Sequence, residues 1–494
     1  MIFYIINLIL QFFSRKIFLD YLGSEVLGLN TTVQNLLGFL NIAELGIGVA
    51  VASNLYKPIH DHDKQAINDI VSIQGWLYRR IAYIIIAGAL ILMCFFPKIF
   101  AKAEVPLWYA YGSFAALLIS SLLGYFVNYK QIVLSADQKE YKITYCVQGV
   151  KVFKIILQIL AIRFLNDGYL YWLIIEALMA ALTSFVLSAT VKKEYPWLNT
   201  TLSKGFELQK SYPNVIARTK QAFFHRIGSL VLYQTTPLVI YAYVSLSLVA
   251  IYGNYLLIFT GLTSLMGSLL NGITAGVGNL VAEGDSNRSV GVFWELTAVR
   301  MWLAVTMILT FYFMGDSFIT LWVGKEYILP ESAFIFMLLT LFIQLTRTHD
   351  AFRSAFGLYQ DIWAPIIEAG LNLGVSIIFG KYWGLTGILA GVFISQVIIM
   401  RIWAPFFLFK NGFHIPFIKY IAKYCNYIII LLCAVTVVMF IVNKAITTEA
   451  CSYLQWLWKS ILIVLLSATI SFIIFSTDKY FRRFPVRIYN SIKN

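Results

Sequence analysis

The feature that most restricts this chain is the recurrence of apolar runs, each about 20 residues long, along almost its whole length. As a helix, a run of that length matches a hydrocarbon core of about 30 Å. Lipid supplies no hydrogen-bond partners, so each run must satisfy its backbone internally, which a helix does without help from another segment. Hydrophobic residues make up 60% of the 494 and charged residues 13%, with a mean hydropathy of +0.76, a balance that excludes a soluble globular class. The expected fold class is an all-α polytopic membrane protein. Fourteen spans are predicted, at approximately 2–22, 29–53, 78–97, 107–133, 143–165, 169–190, 219–243, 248–276, 294–314, 331–357, 363–380, 384–409, 424–443 and 455–476. Met1 to Phe13 has no basic leader and no small-residue cleavage site follows it, so the first span is expected to be retained.

The loops are short, and the longest polar ones, His60–Gly75 and Lys192–Lys220, are too small for a separate soluble domain. Placing both termini in the cytoplasm leaves Lys98, Lys102, Arg163, Lys325, Lys381 and Lys444 on the opposite side and gathers most of the other Lys and Arg, of 38 in all, on the cytoplasmic one. The net charge of +14 therefore reads as topology and attraction to anionic inner-leaflet lipid, and not as nucleic-acid binding. The segments His414–Tyr424 and Lys479–Arg487 read as interfacial anchors. Cys94, Cys146, Cys425, Cys433 and Cys451 are scattered, and His60 with His62 forms only a polar turn, so no disulfide framework, metal site or cofactor is expected. No G-x-x-x-x-G-K-[ST] motif is present to couple ATP hydrolysis directly.

An internal repeat organises the spans. Gly28 and Asn54 are separated like Gly253 and Asn279, at one offset of 225, and Gln138 meets Gln360 at 222. Six spans lie between the copies, so the two share one orientation, a parallel repeat of spans 1–6 and 7–12 with spans 13 and 14 appended. The predicted domains are an N-terminal lobe at 1–190, a cytoplasmic connector at 191–218, a C-terminal lobe at 219–409, an interfacial segment with two helices at 410–476 and a basic tail at 477–494. The two lobes are expected to flank a central cavity.

Four runs carry a resemblance to a known family: GLNTTVQNLLGFLNIAELGIGVAVASNLYKPI (28–59), AIYGNYLLIFTGLTSLMGSLLNGITAGVGNLVAEGD (250–285), LWVGKEYILP (321–330) and AFGLYQDIWAPIIEAGLNLGVSIIFGKYWGLTGILAGVFIS (355–395). They resemble the bacterial polysaccharide transporters, or O-antigen flippases, of the multidrug/oligosaccharidyl-lipid/polysaccharide exporter superfamily. The resemblance implies two six-helix lobes that alternate between inward-open and outward-open states in the bacterial inner membrane. It implies as cargo an oligosaccharide on undecaprenyl pyrophosphate, moved to the periplasmic leaflet, with membrane lipids and a polysaccharide polymerase and chain-length machinery as partners. It also implies that spans 13 and 14 border a groove for the lipid tail. Family members generally start with a short basic tail, whereas here the first span begins almost at Met1.

Ionisable groups inside spans are costly, so they are the candidates for handling such a cargo. Arg15 and Lys16 lie in span 1, where they read as a phosphate clamp or as a snorkelling group and a Lys16–Asp20 pair. In span 5, Gln148, Lys151, Lys154 and Gln158 fall on one face, a polar stripe suited to a cavity wall or to headgroups. In span 10, Arg347 and Asp350 are three apart and Arg353 three further, which reads as a gate or a structural ion-pair network. In span 2, Gln34, Asn41, Glu44 and Gly48 are expected on one side, with Leu269 as the repeat partner of Glu44. Glu44 reads as a coupling carboxylate or as a hydrogen bond fixing spans 1 and 2; Glu176 and Glu368 with Asn372 pose the same choice.

Three functions follow. A flippase for lipid-linked oligosaccharide fits the basic groups and the aromatic content of 16%. A multidrug exporter of the same superfamily would favour a net acidic cavity. A polytopic glycosyltransferase or polymerase would need a large external loop, and the longest here, Gly315–Pro330, is short, so the chain is expected not to be an enzyme.

Overall fold

The computed structural model describes residues 2–44, 47–213, 215–216, 219, 234–358, 360–361 and 363–484. Described residues form helices, turns and coil, with no strand among them. Ten of the helices are long and apolar enough to cross a membrane. Most of the predicted seventh span, 219–243, lies outside the described residues, as does the end of the basic tail. The chain divides into two compact units, Met1–Ala250 and Ile251–Asn494.

In the first unit, predicted spans 1 and 2 are not separate helices with a loop between them. Helix α1 runs Ile2–Leu40 and is interrupted at Gly23, whose φ of 80° and ψ of 172° lie in a region that glycine alone enters readily. The second pass then breaks again. A tight turn at Asn41–Glu44 ends the helical rise, and α2 resumes at Ile47–His60. Helices α3 (Lys64–Cys94), α4 (Leu107–Phe126), α5 (Glu140–Phe164) and α6 (Gly168–Glu194) complete the unit. The closest packing is α5 on α6, α1 on α5 and α4 on α6. Asp63 caps α3, accepting a hydrogen bond from the Ala66 amide at 2.9 Å. The predicted connector carries a short helix, Gly205–Ser211, laid along the first turns of α3, and Asn68 and Ser72 there accept the Asn199 and Thr201 amides.

The second unit contains α7 (Leu246–Ala282, shared with the end of the first), α8 (Ser286–Trp322), α9 (Glu331–Leu345), the short α10 (Thr348–Ala355), α11 (Trp363–Gln396), α12 (Phe417–Ala445) and α13 (Tyr453–Phe475). The predicted tenth span is thus two helices, α9 and α10. Helix α11 holds predicted spans 11 and 12 together, turning at Gly384 with φ of 54° and continuing into a π-helical stretch at Val397–Trp403. The last two helices are built into the unit, since α8 packs along α13 and α13 along α12. An aromatic core of Phe293, Trp294, Phe352, Phe409, Phe413 and Tyr427 fills one end.

The start of the predicted tail belongs to this core and is not a free interfacial anchor. Phe481 is fully buried against Trp302, Phe472 and Phe475. Asp478 accepts hydrogen bonds from Lys423 and from Tyr427. Burial pushes the Asp478 carboxyl up, but the hydrogen bonds from Lys423 and Tyr427 outweigh it and hold the group below the usual carboxylate range.

Gly28 on α1 approaches the backbone closely: a Cβ there would sit 1.9 Å from the Leu246 carbonyl oxygen. Gly28→Ala is expected to destabilise the protein by about 1–3 kcal/mol, the usual cost of overpacking. A lowered melting temperature and reduced membrane yield would show it, whereas Gly23→Ala acts through backbone strain alone.

Candidate functional site

Each unit holds an open cavity of its own, with polar side chains on its wall. The first unit's cavity, about 390 Å³, is built where the second pass breaks. Asn41 and Glu44 of the turn face α3 and α4, and the hydroxyls there hold them. Tyr78 donates to one Glu44 oxygen at 3.0 Å and Tyr125 to the other at 2.8 Å. Asn41 Oδ1 accepts from Ser121 at 3.0 Å and from Tyr125 at 3.1 Å. Glu44 therefore ties the second pass to α3 and α4, whereas one of its two readings from the sequence is a hydrogen bond between spans 1 and 2. The expected alignment of Gln34 with Asn41, Glu44 and Gly48 also fails, because the helix does not run through: Gln34 is exposed, and the other three line the cavity.

The stripe on α5 is shared among neighbours. Asn7 of α1 donates to Gln148 Oε1 at 2.9 Å. Lys154 pairs with Glu176 of α6 at 2.8 Å, and Gln158 donates to the other Glu176 oxygen at 2.9 Å. Lys151, half-buried on the same face, makes no ion pair among the described residues. Arg15 donates to the Ala250 carbonyl at 3.0 Å, and Lys16 and Asp20 form the expected i,i+4 pair at 3.7 Å, both well exposed. Arg15 and Lys16 thus have different partners in this structure.

The second unit's cavity, about 480 Å³, lies where α9 gives way to α10. Stopping a helix frees its last carbonyls, and Arg401 donates to those of Phe342 at 3.3 Å, Ile343 at 2.9 Å and Thr346 at 3.1 Å. The break presents Arg347 and Asp350 to the cavity, paired at 2.6 Å, with Arg300 of α8 beside them. Asp350 also lies 3.3 Å from the buried His349. Arg353 departs from the expected three-residue ladder: it pairs with Asp361, to which Trp403 also donates at 3.2 Å. Glu368 is buried, 1% exposed, one turn before the equally buried Asn372, which accepts from Ser376 at 3.4 Å; neither lines the cavity.

The two cavities are equivalent. Asn41, Glu44, Gly48, Tyr78, Tyr125, Tyr129 and Ile132 line the first; Thr263, Met266, Leu270, Arg300, Arg347, Ala351 and Ser354 line the second, in the same order and each 222 residues later (266 minus 44, for example). That offset places Met266, rather than Leu269, opposite Glu44. The side chain of Leu269 lies outside the described ones. The duplicated site has diverged, from a carboxylate with two phenols to two guanidiniums with a carboxylate three residues on.

Arg300, Tyr78, Tyr125 and Arg401 are the residues that the sequence reading passed over. Arg300 was findable as an isolated cation in an apolar span. The two tyrosines are among 30 and carry no local mark. Among the described residues no group of three His, Cys, Asp or Glu side chains is placed to hold a metal ion.

Removing Glu176 leaves Lys154 facing Lys151 across a half-buried surface. Glu176→Gln is expected to cost about 2 kcal/mol, less than the loss of a fully buried partner because both groups keep some solvent. Lys151→Gln, which breaks no ion pair, is expected to fold normally. Thermal unfolding of the two purified variants measures the contrast.

No known family profile matches the chain, and no curated protein matches its sequence. Among solved structures, a multidrug resistance MATE family transporter of the MOP superfamily, inward-facing, is 14% identical with a TM-score of 0.59, covering 81% of this chain and 93% of that one. The lipid II flippase MurJ, in an inward closed conformation, is 15% identical with a TM-score of 0.61, covering 97% of this chain and 98% of that one. At such identities the likeness is one of fold, and the fold is that of these polytopic transporters.

Proposed function

We propose that this chain moves an oligosaccharide linked to undecaprenyl pyrophosphate from the cytoplasmic to the periplasmic leaflet of a bacterial inner membrane, with both termini cytoplasmic. The observation that carries the reading is coverage. The likeness to the lipid II flippase extends over 97% of the chain and that to the multidrug transporter over 81%, and helices α12 and α13 are the pair that the predicted twelve-span repeat leaves over. Helices α12 and α13 fit a cargo with a lipid tail, which a soluble drug lacks. Half-buried Lys151 and Arg300 suit an anionic head group, and the backbone breaks at Gly23, Asn41–Glu44, Thr346 and Gly384 supply bending points for alternating access. A polymerase and chain-length proteins would act on the product. The acidic cavity around Glu44 favours a second reading, export of cationic compounds.

A deletion strain distinguishes the two. Mass spectrometry of undecaprenyl-linked lipids is expected to reveal an accumulated oligosaccharide intermediate, with the surface polymer lost and both restored by complementation. An unchanged lipid pool with altered drug tolerance would replace the flippase by the exporter.

A further inference from the structure

We infer that the cavity of the second unit is a subsite for a phosphate-class oxyanion, with Arg300 as its principal contact and Arg347 beside it. This deepens the flippase reading, on which the identity of the cargo rests, but the site itself follows from the charges around it. Four guanidiniums, Arg300, Arg347, Arg353 and Arg401, are set among three carboxylates, Asp350, Asp361 and Glu368. Four less three leaves one positive charge even with every carboxylate ionised. Arg353 is neutralised by Asp361, Arg401 spends its donors on the freed carbonyls of α9, and Arg347 is engaged with Asp350. Arg300, half-buried on the cavity wall, has no ion-pair partner among the described residues.

A guanidinium with no ion-pair partner of its own, sharing the field of Asp350 with Arg347, has capacity for a further anion, and its planar fork matches the geometry of phosphate oxygens. The neutral lining adds an amide donor in Gln344, within a volume of about 480 Å³ that exceeds a diphosphate, whereas the Thr263 hydroxyl is donated to the Phe259 carbonyl of its own helix. The duplicated cavity provides an internal comparison. At the positions of Arg300 and Arg347 the first unit carries Tyr78 and Tyr125, which hold Glu44. A purely architectural need, common to both copies, would not require guanidiniums in one and phenols in the other. Of the cations singled out in the sequence, Arg15 donates to the Ala250 carbonyl, Lys16 pairs with Asp20 and Lys154 with Glu176, while Lys151, in the first unit, makes no ion pair among the described residues.

The test is binding by the full-length chain purified in neutral detergent, titrated in parallel with inorganic pyrophosphate and with dioctanoyl phosphatidylglycerol. Arg300→Gln is expected to weaken binding at least about tenfold, and Arg300→Lys, which keeps the charge but not the fork, by less. Arg163→Gln, an exposed cation at the end of α5, is expected to change nothing. An Arg300-dependent preference for pyrophosphate identifies the cargo's carrier as the source of the anion; an Arg300-dependent preference for the lipid identifies a membrane headgroup, and either sustains the subsite. Equal affinity of the wild type and Arg300→Gln for both probes, or no binding by the wild type, overturns it. Should Arg300→Gln fail to fold, Arg300→Lys decides by the same comparison. Arg300-dependent pyrophosphate binding together with an unchanged lipid pool in the deletion strain would keep the subsite and remove the flippase reading.

Discussion

In hydrocarbon an unpaired peptide group or an unpaired charge is expensive, and the rest of this structure follows from where the chain accepts that expense. Regular helix satisfies the peptide groups everywhere except at a few breaks. At those breaks, polar side chains from neighbouring helices substitute for the lost order. Tyr78 and Tyr125 hold the Asn41–Glu44 turn, and Arg401 takes up the carbonyls freed where α9 stops. The breaks at Asn41–Glu44 and Thr346 each open a cavity beside the groups that support them. The breaks are therefore both the structural liability of the fold and the source of its polar interior.

Duplication explains why there are two such cavities. A constant offset of 222 between lining residues means that both units inherited the same break-and-cavity arrangement, after which the side chains diverged. One copy kept a carboxylate satisfied by phenols; the other gathered guanidiniums in excess of its carboxylates.

Much of the fold was legible in the sequence because its signals are strong and local. Apolar runs of about 20 residues identify helices, and the Gln138–Gln360 match already carried the 222 offset. The breaks were harder to read. Asn41–Glu44 lies inside a run that remains apolar, so periodicity passed through it and the predicted alignment with Gln34 failed for that reason, whereas the polar residues 347–350 that follow Thr346 were carried inside one predicted span. Lys16–Asp20, at i,i+4, was legible, whereas Arg353–Asp361 was not, since a ladder of threes on paper competes with a loop carboxylate brought in by the fold. Partners such as Tyr125 for Glu44, or Asn7 for Gln148, come from distant positions and leave no mark in the local sequence. The start of the tail was read as an anchor from its charge, but Asp478 and Phe481 commit it to the core.

The central claim, that this fold carries an anionic lipid-linked sugar across the bilayer, is tested most directly with purified protein in liposomes bearing a fluorescent undecaprenyl-pyrophosphate oligosaccharide on the inner leaflet. The account predicts that the sugar becomes accessible to an external glycosidase at a protein-dependent rate. Inaccessible sugar in liposomes where the same protein moves a fluorescent organic cation would contradict it.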